Sequence, residues 1–169
     1  MTNVSNELLQ KRYPHLELLG AQHDSKAVAK NVRKHLKTLF PKSKISVKSK
    51  IGQIDISWTD GQTNQSIENA INPFKKATFE GSVDDSFAFH STAFNDAFGG
   101  VKLITLTRDH SKTAKQEAIE ELSSRLKNEY PELTLENYEE GKLIDIYPEG
   151  EDESLSTLIR KSIFEKSYT

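Results

Sequence analysis

The sequence predicts an α+β fold, with a mixed or antiparallel sheet and helices packed on it. Three observations carry that prediction. Apolar residues return at helical spacing between Asp24 and Phe40 and alternate at strand spacing from Ile45 to Thr59. From Val101 a β-branched stretch leads into a second long helical-period run that ends at Tyr130. The predicted order is α-β-β-α-β, a linker, then β-α-β-α, which suits one sheet covered by helices.

Each element has a local reason. Asp24 or Ser25 can cap a helix to Phe40, in which Val28, Val32, Leu36, Leu39 and Phe40 share a face and Lys30, Arg33, Lys34 and Lys37 the opposite one. Pro41 stops it, having no amide hydrogen and restricting the residue before it. Ile45 and Val47, then Ile54, Ile56 and Trp58, alternate with polar residues about a turn at Gly52-Gln53, which reads as a hairpin with one apolar face ending at Thr59-Asp60-Gly61. Asn64 to Ala77 reads as a helix bent or ended by Pro73. Thr78 to Gly81 and Ser86 to His90 read as short extended segments, and Thr92 to Gly100 as irregular. Val101 to Arg108 is expected to be a central strand with both faces covered. Ser111 or Thr113 opens the helix to Tyr130, with Ala118, Ile119, Leu122 and Leu126 inward. Leu143 to Tyr147 reads as a short apolar strand. Asp152 to Lys166 closes the chain as a helix with early acids and late bases, matching the helix dipole. The expected organisation is one compact domain over 1–169, with an N-terminal arm at 1–23, a core over 26–130 and an acidic β-α extension over 131–169. A two-lobed version divided near Thr92 to Gly100 is the alternative.

Composition removes several function classes. With 169 residues the chain can bury one good core, and thirteen Phe and Tyr residues and a Trp set it apart from disordered chains despite 28% charge. The absence of cysteine removes disulfides, thiol catalysis and thiolate metal sites. Met1 to Gln10 has no apolar core of a signal peptide, and nowhere do eighteen apolar residues run together, so neither secretion nor membrane spanning is expected. Nucleophile-elbow, zincin, P-loop and dinucleotide-glycine patterns are all missing. His15, His23, His35, His90 and His110 are scattered, with no pair at a spacing that presents two ligands together. Asp84, Asp85, His90, Asp109 and His110 could converge for metal binding or proton transfer. Acid pairs in loops are ordinarily solvated or capping, so no catalytic, metal or cofactor site is assigned.

Charge is the informative feature. The net of −2 hides nine Lys or Arg and no acid from Lys26 to Lys50, and nine acids against Lys142 alone from Glu132 to Glu153. If the exposed faces of helix and hairpin adjoin, Lys30, Arg33, Lys34, Lys37, Lys48 and Lys50 form one patch for phosphates or an acidic partner. A solvated face balanced by the acidic half is the alternative. No aromatic is interleaved with these charges, so nucleic acid would be held by its backbone. Glu149, Glu151, Asp152 and Glu153 are the candidate acidic face, either solubilising or imitating phosphates toward a nucleic-acid-binding protein.

The block Ile54-Asp55-Ile56-Ser57-Trp58-Thr59-Asp60-Gly61, preceded by Phe40-Pro41 and followed by Asn72-Pro73-Phe74, Phe79-Glu80-Gly81, Asp84-Asp85-Ser86-Phe87 and the Lys102 to Ser111 strand, resembles a known family. It is similar to the large polyvalent protein-associated domain, twenty-ninth of that series, over roughly Lys26 to Tyr130. This chain has Gly-Gln-Thr after the block where the family pattern has Gly-Pro-Thr. The resemblance implies a phage, plasmid or conjugative-element setting and supplies no catalytic residues. It implies a non-enzymatic accessory protein in the cytoplasm of a bacterial host. Counter-defence of the anti-CRISPR kind, by binding a host defence protein or nucleoprotein, is the specific expectation, and a sequence-nonspecific nucleic-acid-binding module is the alternative.

Overall fold

The computed structural model describes residues 2–20, 23–76 and 91–168. The chain falls into two units, Met1–Trp58 with Asn64–Arg108, and Thr59–Thr63 with Asp109–Thr169. The chain passes between the units after Trp58, after Thr63 and after Arg108. The segments expected at Thr78 to Gly81 and Ser86 to His90 lie outside the described residues.

In the first unit, helix α1 spans Thr2–Arg12 and helix α2 spans Ser25–Leu39. The Asp24 carboxylate caps α2 by accepting the Ala27 N–H at 2.8 Å, and the helix ends at Phe40, before Pro41. Strands β1 (Ile45–Lys50) and β2 (Gln53–Thr59) pair antiparallel, with Val47 opposite Ile56 and Lys48 opposite Asp55. Helix α3 (Asn64–Ile71) runs into a 3-10 turn at Asn72–Phe74, where Pro73 breaks the α-helical bonding. Helix α4 (Ala93–Phe98) and strand β3 (Leu103–Asp109) complete the unit, and the sheet is mixed, in the order β1-β2-β3.

The core follows from the apolar periods. Val28, Val32 and Leu36 of α2 meet Val47, Ile54, Ile56 and Trp58 of the hairpin and Ile67, Ile71, Phe74, Phe94 and Phe98 of the helical segments. Full burial of side chains as large as Phe74 and Phe98 is worth about 1.5–3 kcal/mol each. The segment read as an arm shares this core, since Leu16 is buried in it and the Leu19 N–H donates to the Ala97 carbonyl at 2.8 Å.

Two expectations change in this unit. Thr92 to Gly100 is not irregular, because Thr92 and Asn95 form a reciprocal capping box at the start of α4. Asn in place of the usual Glu or Gln at the third position hides that signal in the sequence. Gly99 then turns the chain at φ +84, where a Cβ would lie 2.7 Å from Cγ2 of Val28, so glycine is required for both angle and space. Among the described residues the strand expected at the centre of the sheet, β3, stands last in the order and β2 lies between the other two; β3 exposes Leu103, Thr105 and Thr107 while Ile104 and Leu106 pack inward. Threonine's β-branching favours a strand on a wet face as well as on a buried one, so the pattern does not tell the two apart.

The second unit contains helices α5 (Lys112–Arg125), α6 (Leu135–Glu139) and α7 (Leu155–Glu165). Ala118, Ile119 and Leu122 pack with Leu133, Leu143, Leu155, Ile159 and Ile163. Ser111, Thr134 and Ser154 cap the three helices through their hydroxyls. α5 ends before Tyr130 because Lys127 and Asn128 turn left-handed, at φ +52 and +58. Leu143 to Tyr147 is not a strand: Leu143 to Asp145 is turn and Ile146 and Tyr147 are irregular. Its backbone bonds go to the start of α7, Leu155 N–H to the Ile146 carbonyl at 2.8 Å and Ser156 N–H to the Leu143 carbonyl at 3.2 Å. No helix among the described residues is long and apolar enough to cross a membrane.

Candidate charged binding surfaces

α2 and the hairpin bury their apolar faces against one core. Four of the six predicted cations are engaged by other groups of the chain. Lys30 and Lys34, one turn apart, both clasp Glu17, at 3.0 and 2.6 Å, and together they hold its carboxyl below the usual range, Lys34 first. Arg33 donates from Nη2 to the Val47 carbonyl at 2.6 Å, on a strand that has no neighbour beyond it among the described residues. Lys50 pairs with Asp55 at 2.6 Å and pushes that carboxyl down, with help from Gln53. Lys37 and Lys48 have no ion pair among the described residues, and neither do Lys42 and Lys44 in the loop between α2 and β1. Cations available to phosphate thus concentrate at the α2 C-terminus, the following loop and the outer face of β1. Lys42 and Lys44 belong to the basic run of the sequence but not to the six predicted cations.

The acidic residues divide in the same way. Glu151 meets Arg125 at 3.1 Å and Glu153 meets Lys161 at 2.5 Å, so both brace helices α5 and α7. Glu149 and Asp152 have no ion pair among the described residues, and the Glu149 backbone is held by its N–H donating to the Tyr130 hydroxyl at 3.0 Å. Asp145, outside the predicted set, is exposed as well.

Asp84, Asp85 and His90 lie outside the described residues. Asp109 ends β3, where its carbonyl accepts the Asp60 N–H at 2.8 Å. His110 stands edge-on to Phe164 with centroids 5.2 Å apart. Among the described residues, no group of three or more His, Asp or Glu could hold a metal ion.

One pairing was invisible in the sequence. His15 and His35 stack with centroids 5.1 Å apart, and Nε2 of His15 lies 2.8 Å from Nδ1 of His35. Burial pushes both below the ordinary histidine value, aided at His35 by His15 and opposed by a backbone hydrogen bond with Ala70. Tyr13 and Phe74 stand edge-on to the His35 ring. Twenty residues separate the pair along the chain, on a loop and a helix, so no local spacing announces it.

The family-specific block is structural in this geometry. Ile54, Ile56 and Trp58 are core, Asp60 and Gly61 make the left-handed turn at φ +56 and +58, and the Asp60 carboxylate accepts the Ser111 N–H at 2.9 Å just before α5. The model of the large polyvalent protein associated domain 29 matches residues 23–111, from the approach to α2 to the cap of α5. The match ends short of the Tyr130 reached by sequence resemblance, leaving α5 outside it. No curated protein and no solved structure matches the chain. With more than half its length matched, from the basic helix through the Trp58-Asp60 block to Ser111, the chain belongs to the large polyvalent protein associated domain 29 family, an accessory domain of mobile elements.

Proposed function

We propose that this chain is a non-enzymatic accessory protein of a phage or other mobile element, which acts in counter-defence by binding a host defence nucleoprotein in the bacterial cytoplasm. One observation carries the reading: charge segregates with the two structural units. The first holds fifteen Lys and Arg against nine acids, the second eight against sixteen. A body with one basic and one acidic unit can address both components of a nucleoprotein. The Lys37, Lys42, Lys44 and Lys48 region offers cations to phosphates, while Glu149 and Asp152 offer anions to the protein groove that phosphates occupy. An anti-CRISPR protein is the specific case.

The test is phage plating on a host with an active CRISPR system, with and without the chain expressed. The expected outcome is restored plating, abolished in the double variant Glu149→Gln, Asp152→Asn. Plating that stays restricted across the main CRISPR types would overturn the anti-CRISPR case. A second reading, a sequence-nonspecific nucleic-acid-binding module, is favoured by the four lysines that no acid of the described residues neutralises.

A further inference from the structure

The segment after Gly141 directs two large apolar side chains outward. Ile144 is 55% exposed and Tyr147 60%, although the sequence pattern Leu143 to Tyr147 is that of a buried strand. Their exposure is not fraying. Leu143 and Pro148 are buried, Ile146 packs against the core of the second unit, and the Ile146 and Leu143 carbonyls accept from the first residues of α7. The Glu149 N–H is held by Tyr130, and the Glu151 N–H donates to the Pro148 carbonyl at 3.0 Å. The backbone is thus fixed from within while Ile144, Asp145, Tyr147 and Glu149 face solvent. Displaying a fixed aromatic and an aliphatic side chain costs solubility, and recognition ordinarily relies on such residues as anchors because little entropy is lost when they dock.

The rim chooses the occupant. Asp145 lies between the two apolar residues in sequence, Glu149 and Asp152 follow them, and none of the three has an ion pair among the described residues. The neighbouring Glu151 and Glu153 are already neutralised by Arg125 and Lys161. We infer that this loop is the contact surface for a partner protein's basic, nucleic-acid-binding groove, with Tyr147 and Ile144 as anchors and the three unpaired acids in the places of phosphates. The inference rests on the nucleoprotein-binding function proposed above and adds the apolar anchors that would hold the acidic contact in place. Charge alone would give a fast but weak encounter; the anchors supply residence time.

The test places a photoreactive benzoyl-phenylalanine at Tyr147 of the full chain, expressed in the bacterial host, with the same group at exposed Leu8 of the first unit as control. Adducts are mapped by mass spectrometry to the peptide attached. The expected result is one dominant partner linked through a Lys- or Arg-rich nucleic-acid-contacting peptide, with the adduct suppressed by added single-stranded DNA or RNA. Against the purified partner, Tyr147→Ala is expected to lower affinity roughly tenfold or more without changing the melting temperature, and Glu149→Gln with Asp152→Asn to flatten the salt dependence. Adducts no stronger than at Leu8, adducts with a second copy of this chain, or adducts on a neutral or acidic peptide would each overturn the inference. A basic groove on a protein with no part in defence would uphold it while removing the counter-defence reading.

Discussion

His35 and Asn31 lie one turn apart on α2, and both are buried polar side chains whose partners come from distant segments. Asn31 accepts the Glu17 N–H at 2.9 Å and donates to the Glu17 and Phe98 carbonyls at 2.8 and 3.0 Å, so every polar partner it needs is present. It pins the approach from α1 and the end of α4 to a single helix. His35 has a different consequence. Because burial lowers its pKa, the folded chain takes up a proton at lower pH than the unfolded chain does. Stability is therefore whole above the ordinary value of 6.5 and declines as pH falls through it toward the depressed folded value. Each pH unit of separation is worth about 1.4 kcal/mol. Melting temperature is expected to drop between about pH 7 and pH 5, and less steeply in His35→Gln, which cannot titrate. Equal slopes in the two proteins would show that the pair is not responsible.

At the scale of the element, α2 was legible as a helix with an apolar and a basic face, and the hairpin as a strand pair with one apolar face. What the basic face does was not legible, since the acid that neutralises Lys30 and Lys34 is Glu17, outside the run, and the group that engages Arg33 is a backbone carbonyl. Arg33 thus serves β1 rather than a ligand. Arg33→Ala is expected to cost about 1 kcal/mol in denaturant unfolding, the usual net worth of one such hydrogen bond. Lys37→Ala is expected to cost less than half of that, as a surface lysine without an ion pair does. Equal effects would mean that this hydrogen bond contributes nothing. The capping box of α4 was missed because Asn95 stands where Glu or Gln is usual, and the segment at 143–147 for a different reason. Local pattern records how apolar residues are spaced, but the hydrogen-bonding partners of Leu143 and Ile146 lie further along the chain, at the start of α7.

For the whole molecule the relevant quantity is the division of charge between the units. The nucleic-acid reading is tested by a gel-shift salt series. The unaltered protein is expected to retard DNA or RNA at low salt, and Lys37, Lys42, Lys44 and Lys48 together changed to Ala to abolish the shift. The double change of Lys30 and Lys34, already paired, is expected to leave it nearly intact. Removing a single lysine–phosphate pairing lowers the slope of log K against log salt by about 0.7–0.9. No retardation of the unaltered protein at low salt would remove direct nucleic-acid binding.

By itself the sequence determined the α+β class, the principal helices, the hairpin, the inward side of Trp58 and the family, because these depend on residue spacing and on a contiguous block. It also determined that basic and acidic residues are separated along the chain. Tertiary structure alone decided that β2 lies between β1 and β3 among the described residues, that His15 meets His35, and that Asp60 ties the end of the hairpin to the start of α5. It also decided which charges remain available. Ion pairing depends on distances in space that spacing along a chain does not encode, so six predicted cations became two, joined by Lys42 and Lys44, and four predicted acids became Glu149 and Asp152, joined by Asp145.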